Sequence, residues 1–144
     1  MEADGQRVTD LDSSTVVAGI GWSGGDARKV LVLLGRRAFV SLRSPWLTAE
    51  WSDVTQRVSE EVRWRNSSWP NWLDWLKRAS VLMDDPPLSR IVVRDPKDDP
   101  VVAAAVSGGA QFLVAYDKHL LALESPYGVR CVTPRGFLSA VLRD

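Results

Sequence analysis

The second half of the chain alternates between short apolar runs and segments with helical signals, and this alternation restricts the fold more than any other feature. Regular alternation of strand and helix is typical of a parallel sheet with helices on both faces. In such a sheet the carboxyl ends of the strands share one edge, where ligands bind. The predicted strands are residues 91–93, 111–116 and 129–132, and the predicted helices are residues 101–107, residues 118–124 and the segment after Thr133-Pro134.

The first half shows a less regular pattern. Its predicted elements are strands at residues 8–11 and 39–42 and helices at residues 26–34, after Ser44-Pro45 and from Pro70. The helix after Ser44 is predicted because a hydroxyl cap followed by proline is a common helix start. Residues 15–18 are β-branched and apolar, so their pattern alone predicts a further strand.

Length and composition indicate one globular domain. The chain has 144 residues, of which 45% are hydrophobic and 25% charged, and these values are ordinary for a single folded domain. We therefore expect residues 1–144 to form one domain, with a flexible N-terminus at residues 1–6. The 18 basic and 18 acidic residues cancel, so the basic excess common in RNA-binding proteins is missing. An acidic metal site would mask a basic rim in this sum.

The sequence also predicts the compartment. Cys131 is the only cysteine, so an internal disulfide cannot form, which fits a reducing environment. The first residues carry acids and no apolar run, unlike a signal peptide, and no stretch approaches the length of a membrane span. We expect a cytoplasmic protein without a membrane segment.

Acidic residues follow the ends of predicted strands. Asp12 follows the first strand, the cluster at residues 95–99 follows another, and Asp117 follows a third. Glu50 lies about two turns into the helix after the second strand. Because the carboxyl ends of parallel strands meet at one edge, we expect these carboxylates to lie together.

Two interpretations of these acids are open at this point. Carboxylates at short distance repel one another unless a proton or a cation lies between them, and oxygen-only ligands favour Mg²⁺ or Mn²⁺. Such an ion stabilises charge on a scissile phosphate and activates a water molecule. Alternatively, aspartate is frequent in turns, and Asp99 before Pro100 is explained as a helix N-cap alone.

The segment DPKDDPVVAAAVSGGAQFLVAYDKHLL (residues 95–121) resembles the C-terminal half of PIN-domain proteins, in particular the branch described as VapC-type toxins of toxin–antitoxin pairs. The tail GVRCVTPRGFL (residues 128–138) continues the likeness. In the first half, LDSSTVV (residues 11–17) and SPWLTAE (residues 44–50) stand where the family has its first acid and its acidic helix residue. The likeness covers nearly the whole chain except the tryptophan-rich middle.

This resemblance implies a single-domain, three-layer α/β/α sandwich with a central, mainly parallel sheet, and it implies a helix at residues 15–18. It further implies an endoribonuclease that depends on Mg²⁺ or Mn²⁺ and acts as the toxin of a toxin–antitoxin pair. The catalytic and metal-binding acids, carried over by position, are Asp12, Glu50, Asp99 and Asp117. RNA, an antitoxin protein and a second copy of the chain are the implied partners.

Three positions depart from the family pattern. Ser14, which supports the acids in this reading, stands where the family has asparagine. Ala115 stands where it has threonine or serine, and His119 where a further acid is often found. Because all four main acids are present, we expect an active enzyme. A catalytically weak or silent PIN-like protein-binding module is the alternative.

Other motifs receive simpler interpretations. Gly19-Ile-Gly-Trp-Ser-Gly24 matches the G-x-G-x-x-G pattern of dinucleotide-binding loops, but residues 39–43 lack the acid that should bind the ribose, so we do not favour that function. His119 is expected to be exposed near the site, and Cys131 to be buried filler. Asn66-Ser67-Ser68 is expected to form a turn rather than a glycosylation site.

Six of the seven tryptophans lie between Trp46 and Trp75, and Trp22 lies apart in the sequence. We expect most of them in the core between helices. An exposed patch that binds a protein partner and a surface that stacks on RNA are the alternatives. The candidates to line an RNA path are Arg28, Lys29, Arg36, Arg37 and Arg43.

Overall fold

The computed structural model of the protein describes residues 7–86 and 99–143. Its strands are β1 (Arg7–Leu11), β2 (Phe39–Arg43), β3 (Val81–Leu82), β4 (Phe112–Val114) and β5 (Arg130–Val132). They form one sheet in the order β3-β2-β1-β4-β5. All four strand pairs in this sheet are parallel, so the carboxyl ends of the strands meet at one edge.

The helices lie between and after these strands. They are α1 (Ser13–Gly21), α2 (Asp26–Gly35), α3 (Pro45–Val62), α4 (Trp69–Ala79), α5 (Asp99–Ser107), α6 (Lys118–Leu121) and α7 (Pro134–Leu142), with a short 3-10 helix at Pro126–Gly128. None of these described helices is both long enough and apolar enough to cross a membrane.

Helices cover both faces of the sheet. Thr9 and Asp10 are adjacent in β1, so their side chains point to opposite faces. Phe112 is the register partner of Thr9 and packs edge-on against Phe137 of α7, with the ring centroids 5.3 Å apart. Leu42 is the register partner of Asp10 and packs against the C-terminal end of α5. The predicted α/β sandwich with a parallel sheet is confirmed.

Helix ends follow the signals in the sequence. At the start of α3, Ser44 Oγ accepts a hydrogen bond from Leu47 N at 3.1 Å. At the start of α7, Thr133 Oγ1 accepts one from Gly136 N, also at 3.1 Å. Gly109, with φ of 70°, follows α5 and adopts the left-handed conformation that favours glycine at a helix end.

The strand predicted from residues 15–18 is wrong, and the helix implied by the family resemblance is confirmed. These residues lie in α1. Val16 and Ile20 are fully buried there, and Thr15 Oγ1 donates a hydrogen bond to Val114 O at 2.9 Å. Packing of this helix against the sheet outweighs the strand preference of β-branched residues, because that preference depends strongly on context.

Some boundaries differ from the sequence prediction. The strand β3 is missing from that prediction, because two residues carry too little periodicity to be recognised. Helix α6 ends at Leu121 rather than Glu124. The strand predicted at residues 91–93 and the flexible N-terminus predicted at residues 1–6 lie outside the described residues.

The tryptophans pack mainly between helices, as expected. Trp51 is fully buried. The partly buried members that pack on the core are Trp46, Trp64, Trp69, Trp72 and Trp75. Trp22 is 49% exposed and packs edge-on against Trp64, with ring centroids 6.0 Å apart. Trp22 is therefore distant from the others in sequence but not in space.

Candidate active site

Asp12 and Asp117 follow two neighbouring strands at the carboxyl edge of the sheet. The backbone N–H of Asp12 donates to Val114 O at 3.0 Å, which ties the end of β1 to the end of β4. Each acid caps a helix. Asp12 Oδ2 accepts from Ser14 N at 3.3 Å, and Asp117 Oδ1 accepts from His119 N at 2.7 Å. Unsatisfied N–H groups at a helix start stabilise a carboxylate.

Ser14 connects the two acidic turns. Its Oγ donates to Asp12 Oδ2 at 2.6 Å and accepts from Tyr116 N at 3.0 Å. Because Tyr116 directly precedes Asp117, a single hydroxyl holds both turns. The serine thus makes defined contacts at the position where the family pattern has asparagine.

Two of the site acids, Asp12 and Glu50, have a raised pKa. Burial raises the pKa of Asp12, and the negative charge of Asp117 raises it further, although hydrogen bonds at the start of α1 lower it in part. Burial also raises the pKa of Glu50, and the charge of Asp12 adds to that increase. Repulsion of this kind acts over short distances. The structure therefore places Asp117 and Glu50 each within electrostatic reach of Asp12.

The chemistry of these acids fits a divalent cation. The hydrogen bonds that described residues make use Oδ2 of Asp12 and Oδ1 of Asp117, so among these residues the second oxygen of each carboxylate is left for an ion. A cation between the acids would relieve their repulsion, and an oxygen-only set matches the preference of Mg²⁺ and Mn²⁺.

A complete metal cage is not seen in the part of the chain that the structure describes. Within residues 7–86 and 99–143, no three His, Cys, Asp or Glu side chains lie close enough to hold one ion. Asp99 begins α5, but its side chain is outside the described part of the structure. The roles assigned to Asp12, Glu50, Asp99 and Asp117 therefore stay predictions.

Trp51 supports the site, and the sequence analysis did not assign it a role. Its Nε1 donates to Leu11 O at 2.8 Å, one residue before Asp12, and its side chain is fully buried. The bond fixes α3 against the end of β1. Because Glu50 is adjacent to Trp51 in α3, the same hydrogen bond also sets the position of Glu50 relative to Asp12. A tryptophan next to the acidic helix residue was the only sequence signal for this contact.

Asp10 is a second residue that the sequence analysis missed. It lies in the central strand, two residues before Asp12, and is fully buried. Among the described residues, neither of its carboxyl oxygens has a hydrogen-bond partner. Its register partners, Leu42 and Leu113, are apolar, and burial raises its pKa to about 8. Asp10 is therefore mostly protonated at neutral pH, unlike a metal-binding carboxylate.

Two of the basic residues proposed to line an RNA path serve the fold instead. Arg43 donates to Lys77 O at 2.9 Å and to Thr48 Oγ1 at 3.2 Å, which joins β2 to α3 and α4. Arg28 donates to Gly19 O at 2.6 Å and lies over the ring of Trp72, 4.1 Å from its centroid. Both guanidinium groups are therefore held by contacts within the fold.

Three smaller predictions are confirmed. His119 is exposed beside Asp117, Cys131 is buried in β5, and burial raises the pKa of its thiol to about 11. Asn66 forms a turn, since its Oδ1 accepts from Ser68 N at 3.0 Å.

The glycine pattern at residues 19–24 does not form a dinucleotide-binding loop. Such a loop connects a strand to a helix, whereas this stretch begins inside α1 and leads to α2. Gly19 is required by packing, because a side chain there would meet Leu31 at 2.8 Å. The structure therefore agrees with the prediction that this glycine pattern does not bind a dinucleotide.

The comparison with protein families agrees with this arrangement. The model of the PIN domain matches residues 10–119, a range that contains all four site acids. The chain belongs to the PIN-domain family. PIN domains are generally nucleases, and hence hydrolases. The fold is similar to that in the crystal structure of PAE2754 from Pyrobaculum aerophilum, with a TM-score of 0.65 and 19% identity over 96% of this chain and 91% of that one. No curated protein matches the chain.

Proposed function

We propose that this PIN domain is a metal-dependent endoribonuclease that hydrolyses phosphodiester bonds of RNA at the edge formed by Asp12, Glu50, Asp99 and Asp117. The observation that carries the proposal is that Asp12 and Asp117 follow neighbouring strands at one edge of the sheet and are connected through Ser14, with Glu50 within electrostatic reach of Asp12. Carboxylates are grouped against their repulsion where a cation binds between them.

In this proposal the four acids hold one or two Mg²⁺ or Mn²⁺ ions. When bound, such an ion stabilises charge on the scissile phosphate and lowers the pKa of a bound water molecule. Ser14 keeps Asp12 in one orientation and aligns the turn that carries Asp117. The helix starts at α1 and α6 orient both carboxylates, so that the site is organised before substrate binds, which lowers the cost of reaching the transition state.

The proposal also covers how the activity of the nuclease is restrained. The family resemblance favours a cytoplasmic toxin that an antitoxin protein restrains, with a second copy of the chain as a further partner. A catalytically silent binding module is the less favoured alternative. The contacts of Ser14 favour an active enzyme over a silent module. Although serine replaces the asparagine of the family pattern, its hydroxyl still connects the two acidic turns.

The test is cleavage of a mixed-sequence RNA by the purified protein, in Mn²⁺ and in excess EDTA. The proposal predicts fragments with Mn²⁺ and intact RNA with EDTA. A folded protein that leaves every RNA intact at saturating Mn²⁺ and gains no stability from Mn²⁺ would contradict it.

A metal titration distinguishes a silent module from an enzyme whose RNA target is absent from the mixture. An ion that binds only the folded state raises its melting temperature. Asp12→Asn should abolish this increase, because it removes one ligand charge while keeping a helix cap. Absence of any Mn²⁺-dependent stabilisation would favour the silent module.

A further inference from the structure

A cleft rich in tryptophan and arginine lies at the ends of α1 and α3. Its volume is about 730 Å³, and we call it the Trp–Arg cleft. The side chains that matter for its chemistry are Trp22, Trp64, Trp72, Arg28, Arg63 and Arg65. None of the four site acids is among the described residues that line it.

The walls of the Trp–Arg cleft are held in place by hydrogen bonds and close packing. Arg28 and Asn66 both donate to Ile20 O at the end of α1, at 3.2 Å and 2.8 Å. The ring of Trp64 lies against Gly21, where any added side chain would meet it at 2.7 Å. The cleft is therefore built before a ligand arrives, which reduces the entropy lost on binding.

The charge of the cleft points to a polyanion. The chain as a whole has no net charge, yet the lining contains three arginines and no acid. Arg63 and Arg65 are exposed. Glu60 and Glu61 precede them at the end of α3 but are not part of the lining. Exposed guanidinium groups bind phosphate oxygens in a bidentate manner.

The aromatic groups point to unpaired bases. Trp22 exposes 49% of its surface beside the two exposed arginines, although burial of an indole would be favourable. Base stacking on aromatic rings along a basic groove is the usual means of binding single-stranded nucleic acid without sequence preference. A groove that docks an apolar protein helix would not need the two exposed arginines, Arg63 and Arg65, in its lining.

The cleft lies within reach of a strand bound at the acidic edge. Asp12 caps one end of α1, and Trp22 follows the other end, nine helical residues later. At 1.5 Å per residue this separation is about 14 Å. Glu50 and Val62 are separated along α3 by about 18 Å on the same basis. Both helices thus run from the acids to the cleft, over the length of a few nucleotides.

We propose that the Trp–Arg cleft binds single-stranded RNA a few nucleotides from the scissile phosphate, with Trp22 stacking on a base and with Arg63 and Arg65 binding phosphates. This inference rests on the proposed nuclease function for the identity of the strand. It adds to that function an anchor for the substrate that makes no contact with the reacting atoms.

The experiment measures binding of fluorescent, single-stranded uridine oligonucleotides of increasing length by anisotropy, in EDTA so that no cleavage occurs. Trp22→Ala should weaken binding about 5- to 150-fold, which corresponds to one stacked base. The double variant Arg63→Gln/Arg65→Gln should reduce the slope of log affinity against log salt by about 1.4, because two phosphate contacts are lost. The matched control is Arg78→Gln/Arg143→Gln, which removes two exposed charges that belong neither to the cleft nor to the RNA path considered above.

Binding that is unchanged in both cleft variants, or reduced equally in the control, overturns the inference. So does self-association that Trp22→Ala abolishes without effect on RNA binding, since it would identify the cleft as a protein interface. Melting temperatures show whether each variant is folded. The two proposals fail separately: oligonucleotide binding at the cleft without cleavage would refute the nuclease alone, and cleavage with normal binding by both variants would refute the cleft alone.

Discussion

Replacing Asp10 by asparagine should stabilise the protein at neutral pH and leave its stability almost unchanged in acid. Asp10 is fully buried, and its oxygens have no hydrogen-bond partner among the described residues. Burial raises its pKa from 3.8 to about 8. Asparagine has nearly the same shape as the protonated carboxyl group and never has to lose a proton on unfolding.

The direction in which stability changes with pH follows from the protons bound in each state. Between pH 4 and pH 8 the folded state keeps a proton on Asp10 that the unfolded state releases, so rising pH favours unfolding. The stabilisation that comes from the proton on Asp10 is fully present below pH 4 and is lost as the pH rises to about 8. Each pH unit costs the wild type about 1.4 kcal/mol. At pH 7 the difference between Asp10→Asn and wild type is therefore about 4 kcal/mol as an upper limit.

The assay is urea denaturation of both proteins at pH 3, 5 and 7 in EDTA. Asp74→Asn, which alters an exposed residue of α4, is the control and should show no such trend. A free-energy difference between Asp10→Asn and wild type that is constant over this range would refute the reasoning. It would mean that the Asp10 carboxylate is ionised in the folded protein and has a partner.

Three further results are expected. Ser14→Ala should weaken Mn²⁺ binding about 10- to 100-fold in a calorimetric titration, because it removes the hydroxyl that orients Asp12; unchanged affinity would contradict the role of that hydroxyl. Trp51→Phe should lower the free energy of unfolding by about 1–3 kcal/mol, because Leu11 O loses its buried donor, and a loss well below this range would mean that water replaces the indole. Cys131 should react with Ellman's reagent at pH 8 only after denaturation, since its thiol is buried and its pKa is about 11; rapid reaction of folded protein would argue against this packing.

Much of the fold could be predicted because its signals are local. Ser44-Pro45 and Thr133-Pro134 each place a hydroxyl acceptor and a preset φ at a helix start, and both helices begin there. Alternation of apolar runs with such starts is sufficient to indicate a parallel sheet. The edge on which Asp12 and Asp117 lie follows from that sheet without further information.

The errors of the sequence prediction arise where tertiary contacts determine the secondary structure. Residues 15–18 have the composition of a strand, but Asp12 starts a helix and Val114 O receives the Thr15 hydroxyl, so they are helical. The strand β3 has two residues and is recognisable only from its pairing with β2. In both cases the deciding partner is distant in the sequence.

The supporting residues of the site could not be predicted for the same reason. Ser14 bonds to Tyr116 across 102 positions, and Trp51 to Leu11 across 40. Asp10 falls within the strand predicted at residues 8–11, but its complete burial follows only from the assembled sheet. Sequence patterns place the acids at an edge, whereas the contacts that orient them depend on the assembled fold.

The most direct test of the central claim compares the rates at which Asp117→Asn and Asp74→Asn cleave RNA at saturating Mn²⁺. Asparagine at position 117 keeps the helix cap but removes the charge that a metal ion requires. The account predicts that Asp74→Asn cleaves at the wild-type rate and that Asp117→Asn loses at least about 100-fold, the scale expected when a charged catalytic group is removed. Equal rates in the two variants would contradict it, because cleavage would then not depend on the acids at the sheet edge.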